Sequence, residues 1–248
     1  QALSALESWS KTYQLDPIDG RYFPVLAGDM DALNSVIGPK IWDLANNADN
    51  KISRLAIAVL QSINPDKAKL DQVSDLILDE NQRSDLRKEW LRLLRKWDLN
   101  LFTSVGTQVL YSKSPELRAV AAEELTEADL GGSAVDNYLL ETFNNSSDTV
   151  ELQRAIKMIP RLKSKKYIIG KLFKELIDGR IAPEIQLEVL EEARTISRDY
   201  PDIRMLMDNY NNFINKQDVM TRYEVALKGG NAEKGKDLFF GHAKAQCS

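Results

Sequence analysis

Apolar residues recur along most of the chain at steps of three and four, the spacing that lays a single stripe along an α-helix. The stripe is clearest in Ile52, Leu55, Ala56, Val59, Leu60 and Ile63. Ahead of it, Leu33, Val36 and Ile37 share a face behind a capping Asp29 or Asp31, and Ile41, Leu44 and Ala48 resume the spacing after an interruption predicted at Gly38-Pro39. Behind it come Val73, Leu76 and Ile77, then Leu86, Trp90, Leu93, Leu94 and Trp97, then Phe102, Val105 and Val109. Leu117, Val120, Ala121 and Leu125 follow, and further stripes carry Val135, Leu139 and Phe143, then Leu152, Ala155, Ile156 and Ile159. The last are Ile169, Leu172, Phe173 and Leu176, then Ile185, Val189, Leu190, Ala193 and Ile196, then Leu206, Met207, Tyr210 and Ile214. Asn64-Pro65 and Asp178-Gly179 read as helix ends, Pro160 as a kink or an end, and Pro201 as the opening of a helix. Ser133 reads as a cap beside a flexible Gly131-Gly132 junction. No period-two alternation interrupts the series, so the pattern predicts an all-α fold.

A short phrase organises these stripes: a turn, an apolar anchor, then usually a basic or amide residue. It reads Ser84-Asp85-Leu86-Arg87, Pro115-Glu116-Leu117-Arg118, Val150-Glu151-Leu152-Gln153 and Pro183-Glu184-Ile185-Gln186, with a weaker copy at Lys51-Ile52-Ser53-Arg54. The anchors 52, 86, 117, 152 and 185 are 34, 31, 35 and 33 residues apart. Such a period, with a second apolar stripe before each anchor, is what stacked helical hairpins produce. The expected architecture is a right-handed α-solenoid of about five to six hairpins over residues 29–216. Each Arg after an anchor is expected to pack its stem on the next hairpin and send its head to carboxylates or carbonyls. The phrase and its spacing resemble HEAT/armadillo-type repeats; the ankyrin and tetratricopeptide signatures are absent. Residues 1–28 break any long helix at Leu15-Asp16-Pro17 and Gly20-Arg21-Tyr22-Phe23-Pro24, and read as an irregular lead-in. Trp9, Tyr22 and Phe23 would cover the open end of the stack.

Composition narrows the chemistry. With 33 basic and 37 acidic residues intermixed, the chain has no electrostatic footprint for nucleic acid. No apolar run approaches the ~18 residues of a membrane span. Gln1-Ala2-Leu3-Ser4 lacks the basic start and apolar core of a signal peptide and reads as the start of a mature or excised chain. One Cys and one His exclude a disulfide framework and most zinc sites. Glu123, Glu124 and Glu127, and Glu188, Glu191 and Glu192, fall off the apolar stripes and read as solvated faces rather than acid–base pairs. Arg161, Lys163, Lys165 and Lys166 read as a solvated turn. No phosphate loop, dinucleotide fingerprint or nucleophile triad is present, and no catalytic or metal-binding residue is assigned.

The tail differs from the rest. Gly229-Gly230-Asn231, Gly235-Lys236, Leu238-Phe239-Phe240 and Cys247-Ser248 succeed one another in the order seen at the start of a class I cytochrome c domain, which residues 217–248 resemble as a linker and a truncated first helix. In that resemblance Cys247 is the first haem-linking thiol of a Cys-x-x-Cys-His motif cut short; His242 precedes the motif and is not assigned as a ligand. Ala5-Leu6-Glu7-Ser8-Trp9 with Leu15–Tyr22, and Arg222–Gly230, are similar to the joins found in Pirellula/Verrucomicrobium-type haem-binding proteins. Those extracytoplasmic bacterial proteins carry HEAT-like repeats and a cytochrome c domain, often behind a β-propeller similar to pyrroloquinoline-quinone sugar dehydrogenases.

The resemblance implies a non-catalytic scaffold within a larger periplasmic or otherwise extracytoplasmic protein. The fragment would bind no cofactor; haem c, and an oxidoreductase activity, would belong to the parent. Its partners would be the flanking propeller and cytochrome c domains, with no nucleic acid and no membrane span. Two other readings stay open on the residues: a free-standing α-solenoid binding a protein or glycan, and a hydrolase, which convergent carboxylates in a pocket would favour.

Overall fold

A computed structural model of the chain describes residues 30–47, 49–63 and 65–230, with a few isolated positions beyond them. The lead-in positions Trp9, Tyr22 and Phe23 lie outside the described residues. Every regular element among the described residues is helical, which gives the all-α, helical-repeat class that the periodicity predicts. The chain divides into two compact units, residues 1–125 and 126–248.

The first unit contains α1 (Met30–Ala45), α2 (Asn50–Leu60), α3 (Lys67–Leu78), α4 (Ser84–Trp97), α5 (Leu99–Val109) and most of α6 (Pro115–Glu127). Successive helices pack as hairpins, α1 on α2 and α3 on α4, while α2 also meets α4 and α3 meets α5. First helices therefore stack on first helices and second on second, the two-layer arrangement of a helical repeat. Aspartates set several starts: Asp49 accepts from the N–H of Lys51 and Ile52, Asp66 from Lys69, and Asp98 from Asn100 and Leu101. Each such cap satisfies otherwise orphaned donors and contributes about 1 kcal/mol. Leu86 and Leu117 are buried under the stack, whereas the weaker anchor Ile52 is only half-buried.

Three indoles fasten the first hairpins. Trp42 stacks on Trp90 at 5.6 Å and 4°, and Trp97 tilts against the same Trp42 ring at 5.8 Å. Trp97 Nε1 donates to the Ile63 carbonyl at 2.8 Å, tying α4 to the end of the preceding repeat. Lys88 pairs with Glu116, and Glu124 accepts from Arg92 at 3.2 Å and Arg95 at 2.5 Å, so charged pairs bridge α4 and α6.

The structure departs from expectation at α1. The helix runs unbroken through Gly38-Pro39, with Pro39 inside it and exposed, so the missing rung of the hydrogen-bond ladder lies on the solvent side. Val36 is 78% exposed, because Trp42 and Ala45, with Ile41, supply the buried face instead.

The second unit contains α7 (Gly132–Asn145), α8 (Thr149–Met158), α9 (Lys165–Ile177), α10 (Gln186–Ser197), α11 (Pro201–Ile214) and the short α12 (Val219–Tyr223) and α13 (Val225–Lys228). Its stacking follows the same rule: α7 on α8, α9 on α10, α8 on α10 and α9 on α11. Pro160 sits in a 3-10 turn, Ile159–Arg161, that ends α8, and Pro201 opens α11. At Asp178-Gly179 the chain turns with Gly179 at φ +70, the Gly179 N–H donating to Leu176 and the Arg180 N–H to Glu175. That pair of bonds is a Schellman ending, and glycine supplies the left-handed residue it needs. Ser133 does not cap α7. It is the second residue of a helix starting at Gly132, and the Gly131 carbonyl takes the first N–H bonds, from Ala134 and Val135.

Candidate functional site

In three repeats the position after the anchor is a staple, and its head meets a carboxylate or a carbonyl, as expected for the arginines. Arg87, 2% exposed, donates from Nε to the Ile77 carbonyl at 2.7 Å and from its terminus to Glu80 at 3.0 Å. Arg118 donates to the Ser112 carbonyl at 2.7 Å and Gln186 to the Ile181 carbonyl at 2.9 Å. These heads close the turn of their own hairpin. The accepting carbonyls lie in the last turn of the first helix (Ile77) or in the segment between the two helices (Ser112, Ile181). Arg87 holds the Glu80 carboxyl down at about 2, and a hydrogen bond from Ser112 of the following repeat adds to the effect.

Gln153 breaks this habit, and it leads to the most constrained point of the second unit. Its Nε2 donates forward, to the Glu184 carbonyl at 3.2 Å and the Gly230 carbonyl at 3.3 Å. The Gly230 N–H in turn donates to Glu188 Oε1 at 3.0 Å. Gly230 is thus gripped at both its backbone groups by side chains of successive second helices, α8 and α10. Its φ of +99 suits glycine, and a Cβ on Gly229 would lie 2.8 Å from Leu187 Cβ. The segment 225–230 is a strap laid against α10 and the 3-10 turn Pro183–Ile185. A cavity of about 330 Å³ beneath it is lined by Pro183, Gln186, Tyr210, Ile214, Glu224 and Leu227, among others. Tyr210 sets its ring edge-on to Phe173 at 5.7 Å, and burial pushes its phenol pKa up.

Glu188 is a further correction: it is 1% exposed, not part of a solvated face. Its Oε1 serves the strap, and its Oε2 has no hydrogen-bond partner among the described residues. Its neighbours Glu191 and Glu192 are exposed and half-buried, and Glu124 and Glu127 are engaged by arginines of their own units. The other buried carboxylate among the described residues, Glu151, accepts from Tyr138 Oη at 3.0 Å and Ser146 Oγ at 2.7 Å, which braces the α7–α8 hairpin. Among the described residues no three metal-ligating side chains converge, and no helix is long and apolar enough to cross a membrane. Cys247 lies outside the described residues, as do His242, Leu238 and Phe239.

Sequence reasoning missed the strap clamp. The residues that form it, Gln153 at anchor plus one and Gly229-Gly230, stand plainly in the sequence, but nothing in their spacing brings them together. Compared with protein-family models, with curated proteins and with solved structures, the chain matches none.

Proposed function

We propose that this chain is a non-catalytic helical-repeat scaffold from a larger extracytoplasmic haem-binding, dehydrogenase-like protein, and that it positions the domains beside it. The observation supporting this reading is the grip on Gly230. A passive linker needs no clamp, whereas a segment that fixes the departure direction of a following domain does. Glu188 and Gln153 supply that fixation from inside the repeat stack, at the cost of a buried carboxylate oxygen left without a donor. Phe213, Val219, Met220, Tyr223 and Leu227 are all more than 60% exposed, apolar surface of the kind a neighbouring domain covers. In this reading Cys247 opens a haem attachment site completed in the parent protein, with haem c as the parent's cofactor.

Two measurements test it. The reading frame past Ser248 should supply a second Cys and a His at Cys-x-x-Cys-His spacing; without them the haem link and the extracytoplasmic location both fall. In the longer protein, spin labels on α10 and on the following domain should give a narrow distance distribution. Gly229→Ala, whose Cβ collides with Leu187, should broaden it, while Gly235→Ala, with nothing within 4 Å of the added carbon, should not. Equal widths in all three proteins would reject the positioning role.

A further inference from the structure

A concavity of the second unit lies between α9 and α11, about 730 Å³ in volume, and its two walls differ in chemistry. On the α9 side stand Lys166, Tyr167, Gly170, Lys171 and Lys174, at steps of one and three residues, so they form one helical face; Lys163 extends it into the preceding turn. On the α11 side stand Ile203, Met205 and Leu206. A Cβ on Gly170 would lie 3.4 Å from Ile203 Cδ1, in ordinary contact, so α9 and α11 pack closely at this point. Tyr167 is 67% and Met205 60% exposed, so the groove presents apolar surface to solvent beside its lysines.

Asp202 is the single carboxylate among the lining residues, and it is already taken. Lys166 Nζ lies 3.1 Å from it and holds its carboxyl below the ordinary range, while also sitting 5.8 Å over the Tyr200 ring. Lys163, Lys171 and Lys174 have no ion pair among the described residues. In a chain of net charge −4, a row of unpaired lysines along an apolar wall is a local inversion of sign.

We propose that this groove docks an acidic amphipathic helix from a partner protein, its carboxylates on the lysine row and its apolar face on Met205, Leu206 and Tyr167. The charge selects an anionic partner, and the apolar wall selects among anionic partners. Nucleic acid or a lipid headgroup would meet the lysines but leave Met205 and Leu206 unused, and the chain's overall negative charge opposes both. From Lys166, which Asp202 already engages, to Lys174 the lysines of α9 span about 12 Å, roughly two helical turns, which suits Glu or Asp side chains repeating at i, i+4 and i+8. This names a partner class for the scaffold and rests on that reading only for the idea that the chain carries partners. Failure of peptide binding would leave the interdomain distances untouched, and failure of the distances would leave peptide binding untouched.

The probe is a fluorescein-labelled peptide of about 14 residues, with Glu on one helical face and Leu and Phe on the other, titrated against the intact chain by anisotropy. A scrambled peptide of the same composition serves as control. Saturable binding is expected, weakened about tenfold by Lys171→Glu/Lys174→Glu and severalfold by Met205→Ser, with the scrambled peptide about tenfold weaker. These side chains belong to the surface, and unchanged circular dichroism of the variants confirms that they fold. The proposal is overturned if the scrambled peptide binds equally well, or if the lysine reversal changes nothing. It is also overturned if phosphatidylglycerol vesicles or single-stranded RNA displace the peptide through the same lysines at lower concentration.

Discussion

Arg87 shows how one side chain can fix the geometry of a repeat. Its side chain is buried, its Nε donates to the Ile77 carbonyl, and its terminal nitrogen reaches Glu80. Glu80 is also hydrogen-bonded to Ser112, so the link passes from one hairpin to the next. Replacing Arg87 by Met keeps the apolar stem and leaves the Ile77 carbonyl without its donor. The expected loss is about 2 kcal/mol, mostly from that carbonyl, since Glu80 is 34% exposed and solvent screening discounts the ion pair. The pH dependence separates the two contributions. The Glu80 carboxyl falls from an ordinary 4.5 to about 2 in the folded state, so its stabilisation is complete above pH 4.5 and fades as the pH drops towards 2. Urea midpoints of the unaltered protein should therefore fall faster than those of Arg87→Met across that window. Parallel slopes would show that the arginine is not what holds the carboxyl down.

At the scale of elements, what could be read from the sequence is what depends on spacing along one helix. Leu86, Leu117, Leu152 and Ile185 are buried because a period of 3.6 places them on the inward stripe whatever their neighbours are. The Trp42–Trp90 stack was not legible, since a contact between repeats leaves no trace in the spacing within either one. Glu188 was partly legible. It falls three residues after Ile185 and hence on the buried stripe, but grouping it with Glu191 and Glu192 by composition hid that position. The strap clamp escaped for the same reason as the indoles: Gln153 and Gly230 are 77 positions apart and meet only through the stack. Spacing between α5 and α6 is set by a residue whose role can be tested directly. A Cβ on Gly106 would meet Leu125 at 3.4 Å, ordinary contact rather than collision. Gly106→Ala should therefore raise stability by about 0.5 kcal/mol through helix propensity, while Gly106→Leu should cost about 1–3 kcal/mol by overpacking. Thermal melts of the two variants moving in the same direction would contradict this account of the α5–α6 contact.

For the molecule as a whole, the consequence of sequential packing is that damage should stay local. Within each unit every helix draws its burial from neighbours in the series, α9 from α10 and α11, and α10 from α8, α9, α11 and the strap. Truncation after Asp199 removes α11, α12 and α13 together with the strap. It uncovers Gly170, takes the Tyr210 edge away from Phe173, and deprives Glu188 and Gln153 of Gly230. Phe173, 0% exposed in the intact chain, then loses its cover on that side, and burying such a side chain is worth about 1.5–3 kcal/mol. Amide hydrogen exchange should accordingly accelerate throughout α9 and α10. Helices α1 to α5 belong to a separate compact unit, and their core of Trp90, Leu94 and Phe102 makes no use of the deleted residues. Their exchange should remain as slow as in the intact chain, because in a repeat array stability is a sum over nearest neighbours. If truncation instead sped exchange equally in α2 and α10, the chain would unfold as one cooperative block. The repeat account of its stability would then be wrong, however well its helices follow the anchors.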